Sequence, residues 1–181
     1  ELPRVCRSFF PLSDKREDNF IGGLSMGMQG ATKAAILHPE MYEAALFMSG
    51  AAMSAKRYRD RWEGFHNGKN TGSPDIFPAM GEPDFVENGP DDTFYNAKIQ
   101  AEAGTKMPKM FITSGSKDPG LPATIETYEY FKSLGFDVSF EEVPGYGHEW
   151  DFWDLTLKKA IENWLPIKHG IIYPDKANED T

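Results

Sequence analysis

The sequence predicts an α/β protein with a mostly parallel sheet, flanking helices and a cap-like insertion. Three observations carry this prediction. Short apolar runs near 19–24, 44–49, 109–113 and 136–143 alternate with stretches of helical spacing. The run from Ala44 to Ser49 is nearly all apolar, as a strand covered on both faces should be. Residues from about 51 to 107 hold too many turn signals, and run too long, for a simple strand-to-strand connection. A chain of 181 residues with 40% hydrophobic and 13% aromatic residues can bury the core of one such domain.

The elements follow in order. Leu2, Val5, Cys6, Phe9 and Phe10 recur at helical spacing and predict an opening amphipathic helix that stops near Pro11. Cys6 lies in that stripe and reads as a buried structural thiol. As the lone cysteine it excludes an internal disulfide framework. A polar loop leads to a strand at about Asn19 to Leu24, and a helix follows until His38-Pro39-Glu40 ends it. His38 reads as a helix-end residue. In the insertion, short helices are expected near 53–62 and 91–103. Trp62 and Phe65 there, with Trp150 further on, are the candidates to line a substrate pocket. Most of the insertion's aromatics, Phe77, Phe85 and Phe94 included, read as its own small core, and His66 reads as exposed. After the strand entered through Pro108, a helix with Leu121, Ile125, Tyr128 and Leu134 on one face stops at Gly135. The alternation of Phe136, Val138 and Phe140 with Asp137, Ser139 and Glu141 predicts a half-exposed edge strand. The last helix places Trp150, Trp153, Leu157, Ile161 and Trp164 on one face, and a polar tail covers about 167–181.

The chemistry centres on Gly23-Leu24-Ser25-Met26-Gly27. It is a G-x-S-x-G pattern between a predicted strand and a predicted helix. A sharp strand-to-helix turn thrusts the serine oxygen outward, and side chains at positions 23 and 27 would collide with neighbouring backbone. The helix start leaves free N–H groups at the site, and that of Met26 could hold a developing oxyanion. Gly27, Gly30, Ala31 and Ala34 form a stripe of small residues that would let this helix lie close on the sheet.

Ser25, Asp118 and His148 each follow a predicted strand, at the carboxyl ends where an open α/β sheet gathers its ligands. The order Ser…Asp…His is that of an α/β-hydrolase. His148 would act as base and then acid, with Asp118 orienting the imidazole. Such a sheet has further strands before the nucleophile, and a loop after its third strand donates to the oxyanion. The expectation is therefore that this chain is the C-terminal part, residues 1–181, of one α/β-hydrolase domain. A missing front would expose the edge of the strand at 19–24 to pairing with that portion or with another copy.

The segments Asn19-Phe20-Ile21 before the serine, His38-Pro39-Glu40, Ser49-Gly50-Ala51 and Gly147-His148-Glu149-Trp150 resemble the esterase D family, in particular its tributyrin-esterase-like members and related acetyl and feruloyl esterases. The resemblance covers nearly the whole chain except the insertion and the tail. It implies a serine carboxylesterase with Ser25, Asp118 and His148 as triad and the Met26 N–H as oxyanion donor. By family analogy alone, the substrates would be acetyl or feruloyl esters, such as acylated saccharides. Met28 stands where the family usually has a second glycine, and is expected to narrow the site. An acyltransferase of the same fold, or a hydrolase-fold subunit that only binds, are the rival readings.

No cofactor or metal is expected, because no Cys/His cluster has metal spacing and no phosphate loop is present. The net charge of −9 argues against nucleic acid and anionic membrane as partners. With no apolar run long enough to span a bilayer and no signal peptide, the chain reads as cytoplasmic rather than secreted.

Overall fold

The computed structural model describes residues 2–69 and 76–167. Four strands, β1 (Phe20–Leu24), β2 (Ala44–Met48), β3 (Lys109–Gly115) and β4 (Val138–Val143), pair in parallel in the order β1-β2-β3-β4. Leu24 pairs with Met48, Met48 with Thr113, and Thr113 with Glu141, so all four carboxyl ends reach one edge of the sheet. The helices are α1 (Leu2–Phe9), α2 (Met26–Leu37), α3 (Ala55–His66), α4 (Ile76–Met80), α5 (Pro83–Val86), α6 (Thr93–Glu102), α7 (Leu121–Ser133) and α8 (Trp150–Lys159). Among the described residues, no helix is long and apolar enough to cross a membrane.

The pleat explains the sequence of β2. Ala45 and Phe47 pack with Met110 and Ile112 against α2 and α7, while Ala44, Leu46 and Met48 pack with Phe111 against Phe152, Trp153 and Ala160. Every β2 side chain is buried because helices cover both faces. β4 is an edge strand with a mixed burial pattern, as its alternation predicts.

The helical faces turn out differently from the expected stripes. In α2 the buried residues are Met28, Ala31, Thr32, Ala35 and Ile36, while Gly27 and Gly30 are exposed. Spacing fits both phases, and the larger apolar surface of Met28 and Ile36 decides between them. Met28 is wholly buried in the core and does not line the cavity beside Ser25, so it does not narrow the site.

In α7 the deepest residues are Thr124, Thr127 and Phe131, with Tyr128 and Leu134 only partly buried. In α8 they are Phe152, Trp153 and Thr156, while Trp150 is 74% exposed. A π turn over Ala160–Trp164, closed by Leu165 N–H donating to Ala160 O at 2.8 Å, resets the phase. It lets Trp164 stack on Phe111 at 5.3 Å. Cys6 is only half-buried, Val5 and Phe9 stand exposed on α1, and Phe10, just past its end, is exposed as well. The expected buried thiol is corrected accordingly.

The region between β2 and β3 divides in two. Met53, Tyr58, Phe77 and Val86, with Trp62, Ile76 and Met80, form a small separate core. α6 joins the main body instead: Phe94 stacks on Tyr130 at 4.2 Å, and Gln100 donates to Ile36 O at 2.9 Å. The tail beyond 167 lies outside the described residues.

Candidate active site

Ser25 sits between β1 and α2 with φ 52° and ψ −122°. This left-handed backbone is costly for a residue with a Cβ. It persists because neighbours hold it from several sides. The Ser25 N–H donates to Met48 O at 2.9 Å, and a Cβ on Gly50 would come 2.6 Å from Ser25 O. A Cβ on Gly23 would collide with the Gly27 carbonyl, so glycine is required at 23. The same expectation fails at position 27, where a Cβ meets open space.

Asp118 stands in the loop after β3, and its side chain is 1% exposed. Its Oδ1 accepts from Gly120 N–H at 2.7 Å, and Oδ2 faces His148 Nδ1 at 2.9 Å. Burial pushes the carboxyl up, but the Gly120 N–H, the His148 ring and the nearby Ser49 hydroxyl outweigh it, so the carboxyl lies below its ordinary value. Ser49 Oγ meets no partner at full hydrogen-bond geometry, yet it lies near enough to favour the charged carboxylate.

His148 follows Gly145 and Gly147 in the loop after β4, and its Nε2 lies 2.8 Å from Ser25 Oγ. The ring meets Trp153 edge-on at 5.0 Å, which limits how it can turn. Glu149 accepts from Gly147 N–H at 2.7 Å and holds the loop from the other side. Hydroxyl, imidazole and buried carboxylate thus form one hydrogen-bonded chain. Such a chain can lower the cost of removing a proton from the hydroxyl. Met26 is the first residue of α2, so its N–H is one of those without a partner inside the helix, and it lies beside Ser25.

A cavity of about 550 Å³ opens on Ser25, walled by Met26 and Gln29 of α2, by Ser49, Gly50 and Ala51, and by Arg61, Ile76 and Ala79 from the insertion. None of Trp62, Phe65 and Trp150, the aromatics expected here, is among the described residues that line it. Trp62 packs in the insertion's core, Phe65 lies 4.9 Å from Phe77 on its outer side, and Trp150 projects outward. Periodicity missed Arg61 and Gln29, because polar residues on a helix read by default as its solvent face. Gly50 carried a legible signal, a glycine directly after a buried strand. His38 and His66 are exposed and away from this cavity. Among the described residues, no three His, Cys, Asp or Glu side chains gather as metal ligands.

The sheet, its helices and the position of the serine turn are those of an α/β-hydrolase. No family model matches the chain. It is 29% identical over 171 residues to an acetyl esterase of Caldicellulosiruptor saccharolyticus, covering 91% of this chain and 60% of that protein. The crystal structure of an S-formylglutathione hydrolase from Staphylococcus aureus is similar with a TM-score of 0.73 and 25% identity over 89% of this chain and 59% of the other. A fluorophosphonate-binding serine hydrolase of the same organism matches with a TM-score of 0.69 and 26% identity, over 89% and 59%. The chain thus spans about 60% of the length of the relative it matches. These likenesses support an esterase D-like α/β-hydrolase.

Proposed function

We propose that this chain carries the catalytic triad of a serine carboxylesterase. The observation behind this reading is the continuous relay from Ser25 Oγ through His148 to Asp118, at 2.8 and 2.9 Å. His148 Nε2 takes the hydroxyl proton as Ser25 Oγ attacks the ester carbonyl carbon. The Met26 N–H stabilises the oxygen that gains negative charge. His148 then gives the proton to the departing alcohol, which leaves an acyl-enzyme. Water repeats the sequence and frees the acid and the serine. Asp118, held charged, orients the ring and stabilises its protonated form.

The similar acetyl esterase supports short acyl groups, and the largely apolar cavity suits them. We extend the reading to acetyl and feruloyl esters of small alcohols or saccharides. The domain reading goes with it: this chain supplies the C-terminal part of the catalytic domain. Intact-mass measurement after treatment with a fluorophosphonate tests the assignment. One added probe mass, mapped to Ser25, is expected; a folded protein that stays unlabelled overturns it.

A further inference from the structure

A second cavity, of about 290 Å³, adjoins the one that opens on Ser25. The two share Met26 and Gln29 as a common wall, and the second runs on along α2 past Gly30. Met53 and Met80 line it as well, so three thioethers border one space. Its charged residues, Lys33 and Asp91, are joined in an ion pair at 2.5 Å, and Thr93 keeps its hydroxyl oxygen buried. The recess therefore suits an uncharged, apolar occupant. Gly30 leaves room on the helix side, since a Cβ there meets nothing within 4 Å. The Met26 side chain between the two cavities is 78% exposed, and an unbranched thioether turns aside readily.

The relay decides which half of an ester reaches this recess. The alcohol leaves where His148 Nε2 can protonate it, and that nitrogen lies 2.8 Å from Ser25 Oγ. Among the described residues, none beyond Thr93 lines either cavity, so both lie on the acyl side of the serine. Gly30 stands four residues past Met26, about 6 Å along the helix axis. An acetyl group stays in the first cavity, whereas a longer straight chain runs past Met26 into the second.

We propose that the second cavity is an acyl subsite, and that the preferred substrates carry unbranched acyl chains of the hexanoyl to octanoyl class. Met26 and Gly30 set how far such a chain can run. This rests on the ester-hydrolase reading above and names the acyl group that site prefers.

The test measures kcat/KM for the 4-nitrophenyl esters of acetate, butyrate, hexanoate and octanoate. The value should rise from butyrate to octanoate by at least about tenfold, since each methylene taken from water adds up to about fourfold. Gly30→Ala should remove part of that rise and Gly30→Leu nearly all of it. Helix propensity favours both substitutions at this position, so both variants should fold. Binding supplies a second readout. Ethyl octanoate, titrated calorimetrically into the Ser25→Ala protein, should bind about tenfold more weakly when Gly30→Leu is added. Octyl acetate should bind equally with and without that change. Unchanged ratios and unchanged binding in Gly30→Leu overturn the proposal. So does an effect of Gly30→Leu that falls on octyl acetate instead, because the recess then holds the alcohol. Absence of all hydrolysis with the octanoate binding difference intact overturns the esterase reading alone.

Discussion

Gly115, the last residue of β3, and Tyr146, in the loop that follows β4, are in backbone contact. A Cβ on Gly115 would collide with the Tyr146 carbonyl, the same carbonyl that accepts from Lys117 N–H at 2.8 Å. Ser116 N–H donates to Val143 O at 3.0 Å, and Gly145 N–H to Ser116 Oγ at 2.9 Å. The loop carrying Asp118 and the loop carrying His148 are thus stitched together before either side chain is considered. Gly115→Ala should push them apart. A displacement near 1 Å at a catalytic group costs about 100-fold in rate, so kcat/KM for a simple ester should fall by about that factor, with about 1–3 kcal/mol of stability lost to overpacking. Steady-state kinetics and urea unfolding check the two parts.

Replacing the relay should cost most. Ser25→Ala and His148→Ala are expected to lower kcat by at least about 10⁴-fold, and Asp118→Asn by about 10⁴-fold. Because the three act as one unit, a double variant should lose little more than the worse single one. Losses that multiply would argue against a shared relay.

The strained backbone at Ser25 makes a separate prediction about stability. Alanine keeps the cost of φ 52°, whereas glycine relieves it. Ser25→Gly should be inactive yet more stable than Ser25→Ala by about 1 kcal/mol. Equal midpoints of thermal unfolding for the two would show that the turn stores no strain.

The lowered carboxyl of Asp118 ties stability to pH. A group whose folded value lies below its unfolded one stabilises the fold above the unfolded value, about 3.9 for Asp. That stabilisation is lost as pH falls through the folded value. The stability gap between the natural protein and Asp118→Asn should therefore be full near neutral pH and shrink below about pH 4. A gap that stays constant on acidification would mean that the carboxylate is not held charged.

Two threonines on the inner face of α7 hold the cavity wall. Thr124 Oγ1 donates to Gly50 O at 2.7 Å, and Thr127 Oγ1 accepts from Ala52 N–H at 3.1 Å. Thr127→Val leaves that buried N–H without its partner and should cost about 1–3 kcal/mol, and Thr124→Val a similar amount. Both should raise KM more than they lower kcat, since they loosen the wall and not the relay.

Much of the site was legible along the chain because its parts follow rules that act over a few residues. The strand, glycine and serine before α2, the Asp-Pro-Gly turn after β3 and the glycines before His148 each have a local physical reason. The pocket was not legible. Arg61 and Gln29 sit on helices whose polar positions look like solvent faces until the insertion folds over Ser25. Thr124 and Thr127 look like neutral fillers until Gly50 and Ala52 present backbone groups to them.

The sequence by itself determined the class of fold, the order of its strands along the chain and the three residues, Ser25, Asp118 and His148, that the fold joins in one hydrogen-bonded chain, since periodicity and turn chemistry are local. Only the tertiary structure decided which helical face turns inward. Spacing allows adjacent phases in α2 and α8, and buried area and the π turn at Ala160–Trp164 chose between them. It also decided what surrounds the serine, because a cavity wall is made of residues from separate elements whose approach no short stretch of sequence encodes.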